Sequence, residues 1–410
     1  MNYKKYFLQI TELLRSYQNI WPEEVLNSYP ESIDNYLPEW KNLLNNLSDN
    51  DLWEIDAHIS YDSIKGSSFH HLILKIERLR NLLPKYNNDS QFDIPARSFD
   101  HIKLKKKHEI IKILNLLSKL RQTKNYIKII DIGGGIGHLA RFISDYHQIE
   151  VASIDQDEKL QVIGKKRLKQ VYRNQNYAPI HYINKIFSSK IKVKNFQEED
   201  TMSLGLHTCG NLSLEQFDFF SSSNNLSLVN FGCCYLKLDP YKEVNISQYA
   251  KINGLNLTKH SLTLATRSHS QISFDEFSLK KQVKFFRYGL HLLLYHKFNY
   301  KKFIGVGETK IKMYQGGFAT YASEKLCELN IENNLTLNEI NTFYQSESTQ
   351  KLITSMFHAN IIRWQFGRLI EIYILLDRGI YLLENSHQIE LFELFDEKIS
   401  PRNIAIYATK

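Results

Sequence analysis

Apolar residues recur at helical spacing over residues 6–17, and Pro22, Pro30 and Pro38 then break the chain. The same period over 52–64 and 71–83 makes residues 1–95 an N-terminal helical region. The stretch 84–97 (PKYNNDSQFDIPAR) reads as a loop and marks a boundary. Residues 108–120 (HEIIKILNLLSKL) follow as a strongly amphipathic helix.

The pattern then changes. A β-branched run at 126–132 (YIKIIDI) ends in a glycine-rich loop, and a helix is expected over 138–146. Strand 150–154, helix 159–172, a weak strand at 191–196, strand 201–206, helix 213–221 and strand 226–231 follow. Alternating strands and helices predict a mostly parallel sheet with helices on both faces. Residues 236–368 are mostly helical in period, notably at 285–295 and 320–329, with 302–311 extended. A long amphipathic helix at 369–383 precedes strands at 389–395 and 403–409, with a turn at Ser400-Pro401. That final helix and strand pair would complete a seven-stranded α/β sheet built from 96–235 and 369–410. Residues 236–368 then form a mostly helical insertion, a candidate substrate-recognition region.

Composition narrows the class. At 43% hydrophobic and 12% aromatic, the 410-residue chain is not disordered, and 17 Gly with 8 Pro exclude fibrous classes. Four Cys, two of them adjacent, are not a disulfide scaffold and fit a reducing compartment. The N-terminus has no signal-peptide pattern, and no run of 18 uncharged apolar residues exists. A soluble, cytoplasmic protein with no membrane partner is expected.

The net charge of +8 is unevenly placed. Residues 101–128 hold nine Lys or Arg and a single acid, Glu109, and residues 159–194 hold ten and no acid. The stretch between them sums to −5. Such a distribution fits either a polyanion partner or a solvated Lys-rich face. RNA bound through 103–128 and 159–194 is the partner it suggests.

The chemistry lies at predicted strand tips. Asp131-Ile132-Gly133-Gly134-Gly135-Ile136-Gly137 stands between a strand and a helix, where glycines let backbone amides approach a ligand. Asp155, 22 residues beyond Gly133, ends the next strand and suits two ribose hydroxyls, with Gln156 beside it. A dinucleotide and S-adenosylmethionine (SAM) both fit such a loop. Asp131 favours SAM, because an acid there repels a pyrophosphate and tolerates a sulfonium and an ammonium. Asp131, Gly133, Gly135, Gly137, Asp155 and Gln156 are therefore the expected cofactor residues.

Two further clusters follow neighbouring strands: His207-Thr208-Cys209-Gly210-Asn211 and Gly232-Cys233-Cys234-Tyr235. They would face the transfer site together. A Cys can attack a pyrimidine ring, and His207 with three Cys can bind Zn²⁺. The residues can also simply shape the pocket, with Tyr235 as a stacking platform. His207 suits a general base. His207, Cys209, Cys233, Cys234 and Tyr235 are the candidate catalytic residues, and no metal is expected. Asp396 and Arg402 would pair to brace the final hairpin.

These motifs carry a resemblance. Lys105-Lys106-Lys107-His108-Glu109, DIGGGIGHL, GLHTCGNLS, GCCY, Leu375-Leu376-Asp377-Arg378, Tyr381-Leu382-Leu383-Glu384 and FDEKISPRN with Lys410 occur in order over about 101–410. The chain resembles the methyltransferase-like protein 25 family, which includes relatives named as ribosomal RNA adenine dimethylase domain proteins. The resemblance implies a Rossmann-like, class I SAM-dependent methyltransferase sheet. The strand-tip pair is also similar to the HLCG and CCHH pair of the tRNA acceptor-stem ribose 2′-O-methyltransferases. Here Tyr235 and Leu236 stand where that family has histidines. His-Thr-Cys-Gly also replaces the N/D-P-P-Y/F tetrad of adenine N6 methylation. The expectation is a SAM-dependent methyltransferase acting on RNA. The alternatives are a protein or small-molecule methyltransferase and a degenerate SAM fold that works by contact.

Overall fold

The structure, a computed structural model, describes residues 1–87, 92–171, 177–196, 198–232, 234–238, 243–267, 271–307 and 309–410. Its centre is a mixed sheet of seven strands: β1 Lys128–Ile132, β2 Glu150–Asp155, β3 Ile180–Asn184, β4 Thr201–Thr208, β5 Ser227–Gly232, β6 Gln388–Glu393 and β7 Ile404–Thr409. Their order is β3-β2-β1-β4-β5-β7-β6. The first five strands are parallel, and β7 runs antiparallel between β5 and β6. This is the seven-stranded, Rossmann-like α/β sheet expected from the sequence.

Burial explains the strand composition. Every residue of β5 and β7 is buried, as in a sheet covered on both faces. Along β1, Ile129 joins a cluster with Ile113, Leu117, Phe142, Met202 and Phe231. Ile130 and Ile132 point the other way, into a cluster with Ile154, Phe187 and Phe219. The period of two thus divides one strand between two apolar layers. The Leu104–Arg121 and His138–His147 helices supply the first layer, and the Asn211–Ser222 helix supplies Phe219 to the second.

The expected weak strand at 191–196 is not a strand. The third strand is Ile180–Asn184, paired in parallel with β2. Ile191, Val193 and Phe196 pack against the second apolar layer from a turn segment, with Phe196 N donating to the Val193 carbonyl. Their apolar spacing records burial without pairing. The 159–172 helix is Glu158–Val171, and Tyr172 lies outside the described residues.

The chain divides into two compact units. The sheet unit takes Met1–Leu13, Arg78–Thr266 and Leu369–Lys410. The second unit takes Leu14–Glu77 and Arg267–Arg368. The expected helical region 1–95 therefore falls in both units, and residues 236–266 go with the sheet.

The second unit is helical among its described residues. Ser273 with Glu276 and Thr336 with Glu339 form capping boxes that start the Phe274–Lys297 and Leu337–Gln345 helices. Phe286, Leu293, Phe318, Tyr321 and Ile340 make its core, where the Phe318 and Tyr344 rings stack at 4.0 Å. No described helix is long and apolar enough to cross a membrane.

Candidate active site

The site is built where β1, β2, β4 and β5 end, all within the sheet unit. Register brings Asp131 of β1 opposite Ser153 of β2. The glycine loop turns over this pair. Gly133, Gly135 and Gly137 adopt φ of +71°, +57° and +74°. Gly134 is needed for a different reason, because a Cβ there would lie 2.2 Å from Ser153 Oγ and 2.6 Å from Asp131 Oδ2.

The loop is held from the far side. Gln161 Nε2 donates to the Gly135 carbonyl at 2.8 Å. Asp155 Oδ2 accepts from Gly135 N at 2.8 Å, and its Oδ1 accepts from Asp157 N at 2.8 Å. Asp155 thus fixes the loop and stays half-buried at the strand tip. Gln156 is exposed, and its carbonyl accepts from Asn184 Nδ2 at 3.1 Å.

Asp131 is 2% exposed, and its Oδ2 has no hydrogen-bond partner. Burial raises its carboxyl pKa to about 6, against the pull of Lys106 and with the repulsion of Asp155. A buried, unpaired carboxylate is costly, and a cationic ligand would relieve it.

The fourth strand tip carries a strained residue. The β4–β5 register shifts between Leu206 and Thr208, and His207 there has φ of +64°. The bulge aims the imidazole at the Leu104–Arg121 helix, where His207 Nε2 meets Glu109 Oε1 at 2.8 Å. Ser400 Oγ donates to the same oxygen at 2.8 Å.

Glu109 is 1% exposed. Burial pushes its pKa up, but the bonds from His207 and Ser400 and the charge of Lys106 outweigh this, and the net shift is downward. Glu109 is therefore an acceptor, so His207 Nε2 carries the proton and Nδ1 offers the lone pair of the neutral ring. The His207 side chain is 25% exposed, within reach of solvent.

The two most distant motifs meet here. His108 Nε2 accepts from Asp396 N at 3.0 Å, and burial followed by the charge of Lys112 lowers its pKa. Arg402 pairs with Glu371 at 3.1 Å, not with Asp396 as expected. The Asp396 carboxylate instead accepts from Lys398 N within its own turn.

The other predicted residues shape the walls. Cys209 Sγ donates to the His207 carbonyl at 3.2 Å. Tyr235 is 6% exposed and its hydroxyl meets Glu371 at 3.3 Å, so it is an anchor and not a presented stacking platform. Cys234 is half-buried, and Cys233 lies outside the described residues. No described group of three His, Cys, Asp or Glu is placed to hold a metal ion. Glu109, Ser400 and Gln161 were not among the expected site residues. Glu109 did carry a signal, as the single acid in the basic stretch 101–128.

Residues 105–240, about a third of the chain, match the model of a family described as "Methyltransferase domain". That span is therefore similar to a methyltransferase domain. The matched span opens at the Lys105–Glu109 motif and takes in the glycine loop, Asp155 and the His207 bulge. The cofactor of a methyltransferase domain is S-adenosylmethionine. The matched span relies on β6 and β7, from beyond the match, to complete the sheet. Among solved structures, coclaurine N-methyltransferase bound to N-methylheliamine and SAH aligns at 11% identity and a TM-score of 0.25. That alignment covers 91% of this chain and 99% of the other, and at this TM-score it carries no weight.

Proposed function

We propose that this chain transfers a methyl group from SAM to RNA, and that it is a relative of the methyltransferase-like protein 25 family. The residues present fit the cofactor. Asp131, buried with an unpartnered oxygen, suits the ammonium of its amino-acid end. The backbone of Gly133–Gly137 lines that end, and Asp155 suits the ribose hydroxyls. When bound, SAM supplies an electrophilic methyl group on a sulfonium.

The protein's own task is to hold the acceptor and take its proton. Glu109 fixes the ring of His207 and the tautomer with a proton on Nε2. His207 Nδ1 then takes the proton from the attacking hydroxyl or nitrogen. Glu109 stabilises the imidazolium that results.

RNA as the acceptor rests on one observation. The Glu158–Val171 helix exposes Lys165, Lys166 and Lys169, and the 159–194 stretch contains no acid to neutralise them. The test is incubation with methyl-labelled SAM and fractionated total cell RNA, protein and metabolites. Ribonuclease-sensitive label that falls by about 100-fold in His207→Asn is the expected result. Label confined to the protein or metabolite fraction refutes RNA as the acceptor.

A further inference from the structure

The amino-acid end of SAM is a zwitterion, and the site described so far answers only half of it. Asp131 faces an ammonium; a carboxylate needs a cation close by. Several basic side chains lie near this end of the sheet. His138 is neutral, because burial and then Arg141, Arg167 and Lys106 lower its pKa to about 4. Arg141 donates to the Ser98 carbonyl at 2.9 Å, and Arg167 sits on His138 Nε2 at 3.2 Å. Lys105 is half exposed, 3.8 Å from Glu109 Oε1.

Lys106 differs from these. Its side chain is 33% exposed, and its Nζ is 3.8 Å from Glu109 Oε2, beyond hydrogen-bond range. It has no hydrogen-bonded partner among the described residues. Glu109 is bonded in turn to His207 at the tip of β4, so Lys106 stands at the carboxyl end of the sheet, and its charge also acts on Asp131 and His138. The first turn of the Leu104–Arg121 helix therefore places a partly desolvated ammonium with three free donors at the carboxyl end of the sheet, the end at which Asp131 lies on β1.

We infer that Lys106 binds the carboxylate of the cofactor's amino-acid end, opposite the ammonium at Asp131, and makes the site selective for cofactors that keep that carboxylate. This goes beyond the proposed function and rests on its premise that the domain binds SAM. Lys106 contributes a charge-assisted hydrogen bond formed only with the ligand in place.

The test is calorimetric titration of the full chain with SAM and with decarboxylated SAM, which keeps the ammonium and loses the carboxylate. The proteins are wild type, Lys106→Met, Lys106→Arg and Lys105→Met. Wild type should bind SAM about 10-fold or more tightly than the decarboxylated ligand. Lys106→Met should lose that preference by weakening SAM alone, and its unchanged affinity for decarboxylated SAM shows an intact fold. Lys106→Arg should keep most of the preference, and Lys105→Met all of it. Equal wild-type affinity for the two ligands overturns the inference and leaves SAM binding standing. So does a Lys106→Met variant that still prefers SAM or weakens both ligands alike, or a preference lost in Lys105→Met instead. No binding of either ligand by wild type overturns the SAM premise and the inference together.

Discussion

Lowering the pH from 7.5 to 5 should weaken SAM binding through one buried carboxylate. Burial raises the Asp131 pKa to about 6 from an ordinary 3.8. The cofactor's ammonium is attracted by the ionised form, so binding in acid must first remove a proton. At one pH unit below the pKa this weakens affinity about 10-fold, or about 1.4 kcal/mol. Above about pH 7 the dependence disappears.

Stability runs the opposite way. A carboxyl whose folded pKa is raised stabilises the ligand-free fold most below the unfolded value. That contribution is lost as pH rises through about 6. Acid should therefore loosen the cofactor while this group steadies the empty protein. Calorimetric titration of SAM at half-unit steps from pH 5 to 7.5, on wild type and Asp131→Asn, separates the two effects. The variant should bind about 10-fold more weakly at pH 7.5 and show no slope. A wild-type affinity flat down to pH 5, or a slope that survives in Asp131→Asn, refutes this electrostatic account.

Glu109→Gln should lower methyl transfer by about 100-fold with SAM affinity nearly unchanged, because it removes the charge that holds His207 and not a cofactor contact. The same variant should flatten part of the acid limb of urea stability. The Glu109 pKa lies below its ordinary 4.5, so its contribution is present above that value and lost as pH falls through the folded one. Gly210→Ala should destabilise the fold by about 2 kcal/mol or more and lower the melting temperature accordingly. A Cβ there lies 2.1 Å from the Lys237 carbonyl oxygen, at φ of +55°; differential scanning calorimetry reads the change. Charge reversal at Lys165, Lys166 and Lys169 together should weaken RNA binding and reduce its salt slope by about 3, read by fluorescence anisotropy at several salt concentrations.

The parts of this molecule that were legible in sequence are those whose signal is local. The β-branched run of β1, the short strand β2 and the glycines between strand and helix announce themselves within a dozen residues. The strand Ile180–Asn184 did not, because as an edge strand it is only partly buried, and the nearby 191–196 segment has the stronger apolar pattern. The bulge at His207 was hidden within a continuous strand-like run. Its bond to Glu109 joins residues 98 apart, and Ser400 joins from 291 away, so no periodicity relates them. Glu109 stood out only as a lone acid among lysines, which is what a buried countercharge looks like in one dimension. Asp396 and Arg402 were matched by charge and proximity, but burial of Glu371 at 1% exposure set a stronger demand for a partner.

Both compact units are assembled from pieces that alternate along the chain. During synthesis the ribosome therefore never releases one complete unit before beginning the next. When residue 240 emerges, the sheet still lacks β7, so β5 presents an unpaired edge, and Glu109 still lacks Ser400. A nascent chain at that stage is a candidate for chaperone capture, and a recombinant fragment covering 105–240 would carry the same open edge. Residues 388–409 close the sheet and complete the hydrogen bonding of the site, so a ribosome that stalls before them leaves a product that is both sticky and inactive.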